Sequence, residues 1–438
     1  MDYQDKVVSI EKALTMVKDN DIIVTGLGAA EGQGFLSQLH TIADRVKNVT
    51  VINCLPLKAY EFANPQYKAS FKLQSWFYSG VSRKNRDNGN ITYLPNHLHL
   101  IHKKWLSHVD RADFYVGIAS LPDKHGFVSL SLSNVYEKGI IERTKCVILE
   151  INPNVPRTFG DVEMSINDID YLIEANYPMT ELADAELNEK DLAIGRFIAE
   201  KVKDGDCIQL GIGGIPNAVA ASLMNHKNLG IHTEMFTTGM MRLIQAGAVN
   251  GKCKQVDKGK HVASFAAGSK ELYDFMDNNP SIIIRDCNLV NDPYIIALND
   301  NQVSINTTLE VDITGQCCSE AIGSTQFSGT GGQTDTVVGS QNSKNGRSFM
   351  TLYSTAMVKN PETGEREETS KIVCQLKPGA AVSCSRNDLD YLVTEYGIVN
   401  LRGTSIQERA YLIASVAHPK FRESLIAEAK ELGIISEE

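Results

Sequence analysis

Residues Asp206 to Gly239 read DCIQLGIGGIPNAVAASLMNHKNLGIHTEMFTTG. The apolar run Cys207 to Leu210 predicts a short buried strand. Gly211, Gly213 and Gly214 follow as a turn, and Pro216, whose missing N–H costs nothing in a first helical turn, opens a helix reaching Asn225. A glycine-rich turn feeding a helix N-terminus presents bare amide donors and a partial positive charge, which suit a phosphate, a carboxylate or a developing oxyanion. After the polar loop His226 to Asn228, a second strand, Leu229 to Thr233, delivers Glu234 to the carboxyl end of the sheet, on the same edge as the turn. A lone glutamate is ordinarily just solvated. What singles this one out is the amide-lined turn roughly twenty residues upstream.

The same pattern occurs earlier in the chain. Val17-Lys18-Asp19-Asn20-Asp21 is answered by Val202-Lys203-Asp204-Gly205-Asp206, and Gly26-Leu27-Gly28 by Gly211-Ile212-Gly213, both at an offset of 185. Lys47 to Val51 matches Lys227 to Ile231 at an offset of 180, which makes Cys54 the counterpart of Glu234. Helix, strand, glycine turn, helix, strand therefore appears twice. The expected fold class is α/β, with two similar open domains of mostly parallel sheet related by internal duplication. Their expected bounds are 1–185 and 186–438, separated at the acidic, proline-containing run Tyr177 to Lys190, with Glu234 in the second. Gly26-Leu27-Gly28 is not a dinucleotide fingerprint, because the sixth position of G-x-G-x-x-G is Glu31.

The 438 residues, 42% of them hydrophobic, are enough for two or three domains with proper cores. No run of eighteen apolar residues occurs and the first twenty residues are polar and charged, so no signal peptide, no membrane span and a cytoplasmic location are expected. A net charge of −10 gives no global basic field for nucleic acid or membrane, so an anionic ligand must be met by local donors. The nine cysteines lack CxxC spacing and read as reduced, mostly buried small side chains.

Ser9 to Lys18 is expected as an amphipathic helix and Asp21 to Thr25 as a strand. Ser82 to Asn90 is read as an exposed loop. His97, His99 and His102 have no carboxylate or cysteine at ligand spacing, so no metal is assigned to them. Arg157, after two prolines at a strand end, is either a carboxylate binder or a surface charge. Lys252, Lys254, Lys258 and Lys260 are either a solvated loop or contacts to an anionic ligand, each exposed contact worth at most about 1 kcal/mol. Gly329, Gly331 and Gly332 form a second glycine-rich turn, where backbone passes close to something bulky or simply bends tightly. Glu395, at the end of the strand Tyr391 to Thr394, reads equally as a site residue or a salt-bridge partner.

LGIGGIPNAV followed by LGIHTEM resembles the acetyl-CoA hydrolase/transferase family, in particular its 4-hydroxybutyrate and butyryl-CoA:acetate CoA-transferases. SLPDKHGFVSL, QFSGTGGQTD, SRNDLDYLVTEYGI and SVAHPKF extend the likeness over nearly the whole chain. The resemblance implies a CoA-transferase-like fold and a glutamate nucleophile in the H-[ST]-E-M motif, here Glu234. It assigns coenzyme A binding to Gly211, Ile212, Gly213, Gly214 and Ile215 and to Ser328, Gly329, Gly331 and Gly332, and it places Glu395 in the active-site region. The implied reaction moves coenzyme A between 4-hydroxybutyryl-CoA or butyryl-CoA and acetate by ping-pong catalysis through a glutamyl-CoA thioester. It uses coenzyme A as substrate, with no tightly bound cofactor and no metal. A homodimer acting on acyl-CoA and short-chain carboxylates is implied. An acyl-CoA hydrolase and a non-catalytic CoA-binding module are the alternatives.

Overall fold

The computed structural model describes residues 3–360 and 363–436. The chain forms two compact units. The first takes the described part of Met1–Ala183 together with Thr233–Met241 and Lys260–Asn291; the second takes Asp184–His232, Arg242–Gly259 and the described part of Asp292–Glu438. The strand Gly230–Phe236 thus starts in the second unit and ends in the first, taking Glu234 with it.

In the first unit seven parallel strands lie in the order Tyr171–Glu174, Thr144–Ile151, Ala112–Ala119, Ile22–Thr25, Val49–Asn53, Phe71–Ser75 and Ile91–Tyr93. The central strands Ile22–Thr25 and Ala112–Ala119 have the near-continuously apolar sequences of strands buried on both faces. The helix Ile10–Thr15 starts where the Ser9 side chain accepts from the Lys12 amide, and it buries Ala13 and Leu14 against Phe35, Leu36 and Ile23. His261–Ala266, Ile282–Ile284 and Phe159–Gly160 pair in parallel in the same unit.

In the second unit the order Tyr391–Thr394, Arg347–Thr351, Gln302–Thr307, Cys207–Leu210, Gly230–Ile231 repeats the first five strands of that order, again parallel. An antiparallel edge strand, Gly397–Asn400, is added. The duplication extends to register. Ile22 faces Thr50 in one ladder and Cys207 faces Gly230 in the other, so offsets of 185 and 180 map the first pair onto the second. This is an α/β protein of mostly parallel sheets. No helix among the described residues is long and apolar enough to cross a membrane.

Three local expectations change. The loop expected at 82–90 is largely a helix, Gly80–Asp87: the Ser79 hydroxyl accepts from the amides of Val81 and Ser82, and the Ser82 hydroxyl accepts from the Ser79 amide. This capping box and two buried polar side chains, Ser82 and Asn85, replace the apolar stripe by which a helix is normally read. The helix expected from Pro216 begins at Gly214, with Gly213 as its N-cap at φ 114°. Finally, the strand expected to stop at Thr233 runs to Phe236, so Glu234 sits within it, whereas Cys54 lies just beyond Val49–Asn53.

Candidate active site

Glu234 is half-buried between the buried Thr233 and Met235. Its Oε2 accepts a hydrogen bond from Nδ2 of Asn291 (2.9 Å), and its carbonyl accepts from the Ser264 hydroxyl (2.9 Å). Asn291 is fully buried at the C-cap of the helix Cys287–Val290, whose N-cap is Asp286. The chain at Asn134 ties these pieces together, its amide donating to Ser264 and its carbonyl accepting from Cys287. An acceptor carboxylate oxygen fixed by a buried amide loses rotamer freedom before any ligand arrives.

Cys54 lies within the electrostatic reach of Glu234. Burial pushes its thiol well above the ordinary value, and Glu137, Glu234 and Glu31 push it further, so it stays a neutral thiol. The two positions equated by the duplication therefore act on one another within the first unit.

Three buried carboxyl groups surround the first glycine turn. Burial raises Glu31 to about 8, against the opposing pull of the Tyr60 hydroxyl (3.2 Å from Oε2) and Lys58, so it is largely protonated at neutral pH. Glu137 accepts from the amides of Leu27 (3.0 Å) and Tyr136 (2.9 Å). Glu150 accepts from the amides of Gly34 (3.0 Å) and Phe35 (2.7 Å) and from the Tyr177 hydroxyl (2.6 Å). Burial raises both of these groups as well, while the same hydrogen bonds pull them down. The Gly26 and Gly28 amides donate to the carbonyls of Val116 and Cys54, so the amides that a dinucleotide pyrophosphate would need are already taken by protein carboxylates and carbonyls.

The glycine turn of the second unit differs. The Gly211 amide donates to the Ile305 carbonyl (3.0 Å), Ile212 and Gly213 are exposed, and Ile215 is buried. A Cβ on Gly213 would meet nothing within 4 Å, yet its φ of 114° strains any L side chain. Asp191, 1% exposed, packs beneath the turn: a Cβ on Gly214 would come within 2.9 Å of its Oδ2. In the second turn the Ser328 amide donates to the Glu320 carbonyl (3.0 Å). Gly329 and Gly331 are buried there, Gly331 has φ 55°, and Gly332 is the N-cap of the helix Gln333–Asn342.

Other candidates have structural partners. The lysine loop does not act as one unit: Lys254 is 3% exposed and donates to the Ile231 carbonyl (2.8 Å), and Lys260 donates to the Pro280 carbonyl (2.7 Å), leaving Lys252 and Lys258 exposed. Arg157 is paired with Asp123 at 2.9 Å. Glu395 pairs with Lys190 (3.1 Å) and accepts from the amide (2.8 Å) and hydroxyl (2.9 Å) of Ser354; burial raises its carboxyl, and these bonds more than reverse the effect. The rings of His97 and His99 stack, and His102 accepts from Asn288 (2.8 Å). All nine cysteines are free.

Glu31, Glu137, Glu150, Asp191 and Asn291 were not singled out by pattern. The one usable signal was a glutamate amid glycine and alanine in GLGAAEGQG, where solvation is hard to obtain.

The sequence matches the acetyl-CoA hydrolase/transferase N-terminal domain over residues 1–184 and the C-terminal domain of the same family over residues 268–429. The chain belongs to the acetyl-CoA hydrolase/transferase family. Within it, the chain is 38% identical to a 4-hydroxybutyrate coenzyme A transferase of Clostridium kluyveri over 98% of both chains. It is 39% identical to a succinyl-CoA:cyclohexane-1-carboxylate CoA transferase of Geobacter metallireducens, over 99% of this chain and 97% of that protein. Among solved structures, RipA from Yersinia pestis superimposes with a TM-score of 0.91 at 33% identity, covering 99% of this chain and 100% of that one. A 4-hydroxybutyrate CoA-transferase from Porphyromonas gingivalis gives 0.82 at 33% identity over 98% of both. The Clostridium, Geobacter and Porphyromonas proteins are named as CoA-transferases, and CoA transfer is the activity this chain shares with them.

Proposed function

We propose that the protein moves coenzyme A between 4-hydroxybutyryl-CoA or butyryl-CoA and acetate, with Glu234 as a covalent carrier. The observation that carries this reading is a half-buried glutamate in the H-T-E-M motif, held through Oε2 by the buried Asn291 amide. The glycine turns Gly211–Ile215 and Ser328–Gly332 bind the coenzyme in this reading, and the domains 1–185 and 186–438 are the two descendants of one duplicated unit. A homodimer in the cytoplasm belongs to the same proposal, to be read by size-exclusion chromatography and cell fractionation.

A carboxylate is a weak nucleophile and needs an activated acyl donor, which a thioester is. A carboxylate oxygen of Glu234 attacks the acyl-CoA carbonyl, the C–S bond breaks, and an acyl-glutamyl anhydride and a CoA thiolate result. The thiolate attacks the glutamyl carbonyl and expels the first carboxylate, leaving a glutamyl-CoA thioester. The acceptor carboxylate then attacks that thioester, the thiolate is released again, and its attack on the acyl carbonyl yields the new acyl-CoA and restores Glu234. Each step exchanges one acyl bond for another, and no net proton or electron is required. Water must be kept from the thioester, or the carrier is lost to hydrolysis.

Treatment with acyl-CoA followed by borohydride is expected to reduce Glu234 and no other carboxylate, read by peptide mass spectrometry. An unmodified Glu234 peptide would exclude the covalent carrier. Kinetics separate transfer from hydrolysis: the rate of acyl-CoA consumption is expected to depend on added carboxylate with parallel double-reciprocal lines. A rate indifferent to carboxylate would mean that water is the acceptor.

A further inference from the structure

Beneath the Gly211–Gly214 turn the second unit carries a set of linked polar contacts that none of the roles above uses. Asp191, at the third position of the helix Glu189–Ala199, is buried; its Oδ1 accepts from the Tyr353 hydroxyl (2.6 Å) and its Oδ2 from the Asn188 amide (3.0 Å). The Tyr353 hydroxyl also accepts from Nδ2 of Asn188 (3.1 Å). The next residue, Ser354, binds Glu395 through both its amide and its hydroxyl, and Glu395 pairs with Lys190, the neighbour of Asp191. The Lys190 ammonium lies 5.8 Å from the Tyr353 ring centre, and that of Lys371 lies 6.0 Å away. Asp191 packs against the turn at Gly214, and from it polar contacts and the chain run through Tyr353, Ser354 and Glu395 to Lys190, back beside Asp191.

The turn needs such a support. Glycines sample much more backbone space than other residues, and the outer side of Gly213 meets no packing at all. On the inner side the Asp191 carboxylate lies directly against Gly214 at the first turn of the helix Gly214–Ser222, the end where a negative charge is favoured. A buried carboxylate keeps its place only while its hydrogen bonds are made, and the bond from a phenol to an ionised acceptor is among the stronger ones. Burial and Asp191 hold the Tyr353 phenol up to about 12, so it remains a donor at every physiological pH.

We propose that the Asp191–Tyr353 pair is a positioning brace that holds the Gly211–Gly214 turn in the conformation that receives coenzyme A. This rests on the reading of that turn as a coenzyme-binding element. A turn ordered in advance loses less freedom on binding, so the brace acts on affinity more than on the chemical step.

The test is calorimetric titration of the full chain with free coenzyme A, alongside thermal melting and steady-state kinetics. Tyr353→Phe, which keeps the ring and removes the donor, is expected to weaken binding about tenfold, to raise the KM for acetyl-CoA in parallel, and to leave the KM for acetate within about twofold. Asp191→Asn, which leaves only a neutral oxygen to accept from the Tyr353 hydroxyl and turns a donor toward the Asn188 amide, is expected to act in the same direction and, combined with Tyr353→Phe, to add little, because both weaken one contact. Gly213→Val serves as the control for the turn itself. If it weakens binding and Tyr353→Phe does not, the brace is wrong and the binding turn stands. If neither weakens binding, both are wrong. If only Tyr353→Phe does, its effect does not pass through the turn and the brace is again wrong. Should Asp191→Asn fail to fold, Tyr353→Phe decides alone.

Discussion

Glu234→Ala is expected to lower kcat for CoA transfer by a factor on the order of 10⁴ or more, while coenzyme A still binds within a fewfold of the unaltered protein. A covalent carrier has no substitute: without its carboxylate, neither anhydride nor thioester can form, and positioning alone cannot recover a step that no longer exists. Glu234→Gln should be as inactive, since an amide oxygen is a far poorer nucleophile, even though it fills the same space beside Asn291. The measurement is transfer of coenzyme A from acetyl-CoA to a panel of short carboxylates, with binding followed separately. Activity within tenfold of the starting protein would remove Glu234 from the chemistry and leave a CoA-binding site without a carrier.

The second large effect concerns stability and pH. Glu31 ionises near its ordinary value of 4.5 in the unfolded chain and at about 8 when folded. Below pH 4.5 it is protonated in both states and the stability it allows is fully present. As pH rises toward 8 the unfolded chain gives up the proton while the folded chain keeps it, so stability falls. The loss is complete above that point and is on the order of 5 kcal/mol. Glu31→Gln keeps the shape without the charge. It should match the original protein near pH 5 and be more stable near pH 8.5, by denaturant unfolding at both values. Curves that stay superimposed across that range would show that burial does not hold the Glu31 proton.

Much of the fold was legible because β-branched runs and glycine turns leave local signatures. The strands Cys207–Leu210 and Tyr391–Thr394 lie where the residues place them. The internal repeat was visible in short identities and survives as a register match between two ladders. The helix Gly80–Asp87 was hidden because serines and asparagine, rather than apolar residues, supply its cap and its buried face. Around Glu234 the motif marked the residue but not its partner. Asn291 is fifty-seven positions away, and only pairing of distant strands brings it within bonding distance. Lys254 illustrates the opposite failure. Its neighbours in sequence suggest a solvated run, and its burial beneath the strand carrying Ile231 depends on a fold that a count of lysines does not register.

The cysteine that answers Glu234 has an electrostatic consequence. A glutamate placed at 54 would join Glu31, Glu137 and Glu234, the three side chains whose fields already act on that buried thiol, and at least one member of such a quartet would be driven to hold a proton. An uncharged side chain at 54 adds no such repulsion to Glu234, so the two halves of the duplication differ in charge at the equivalent position.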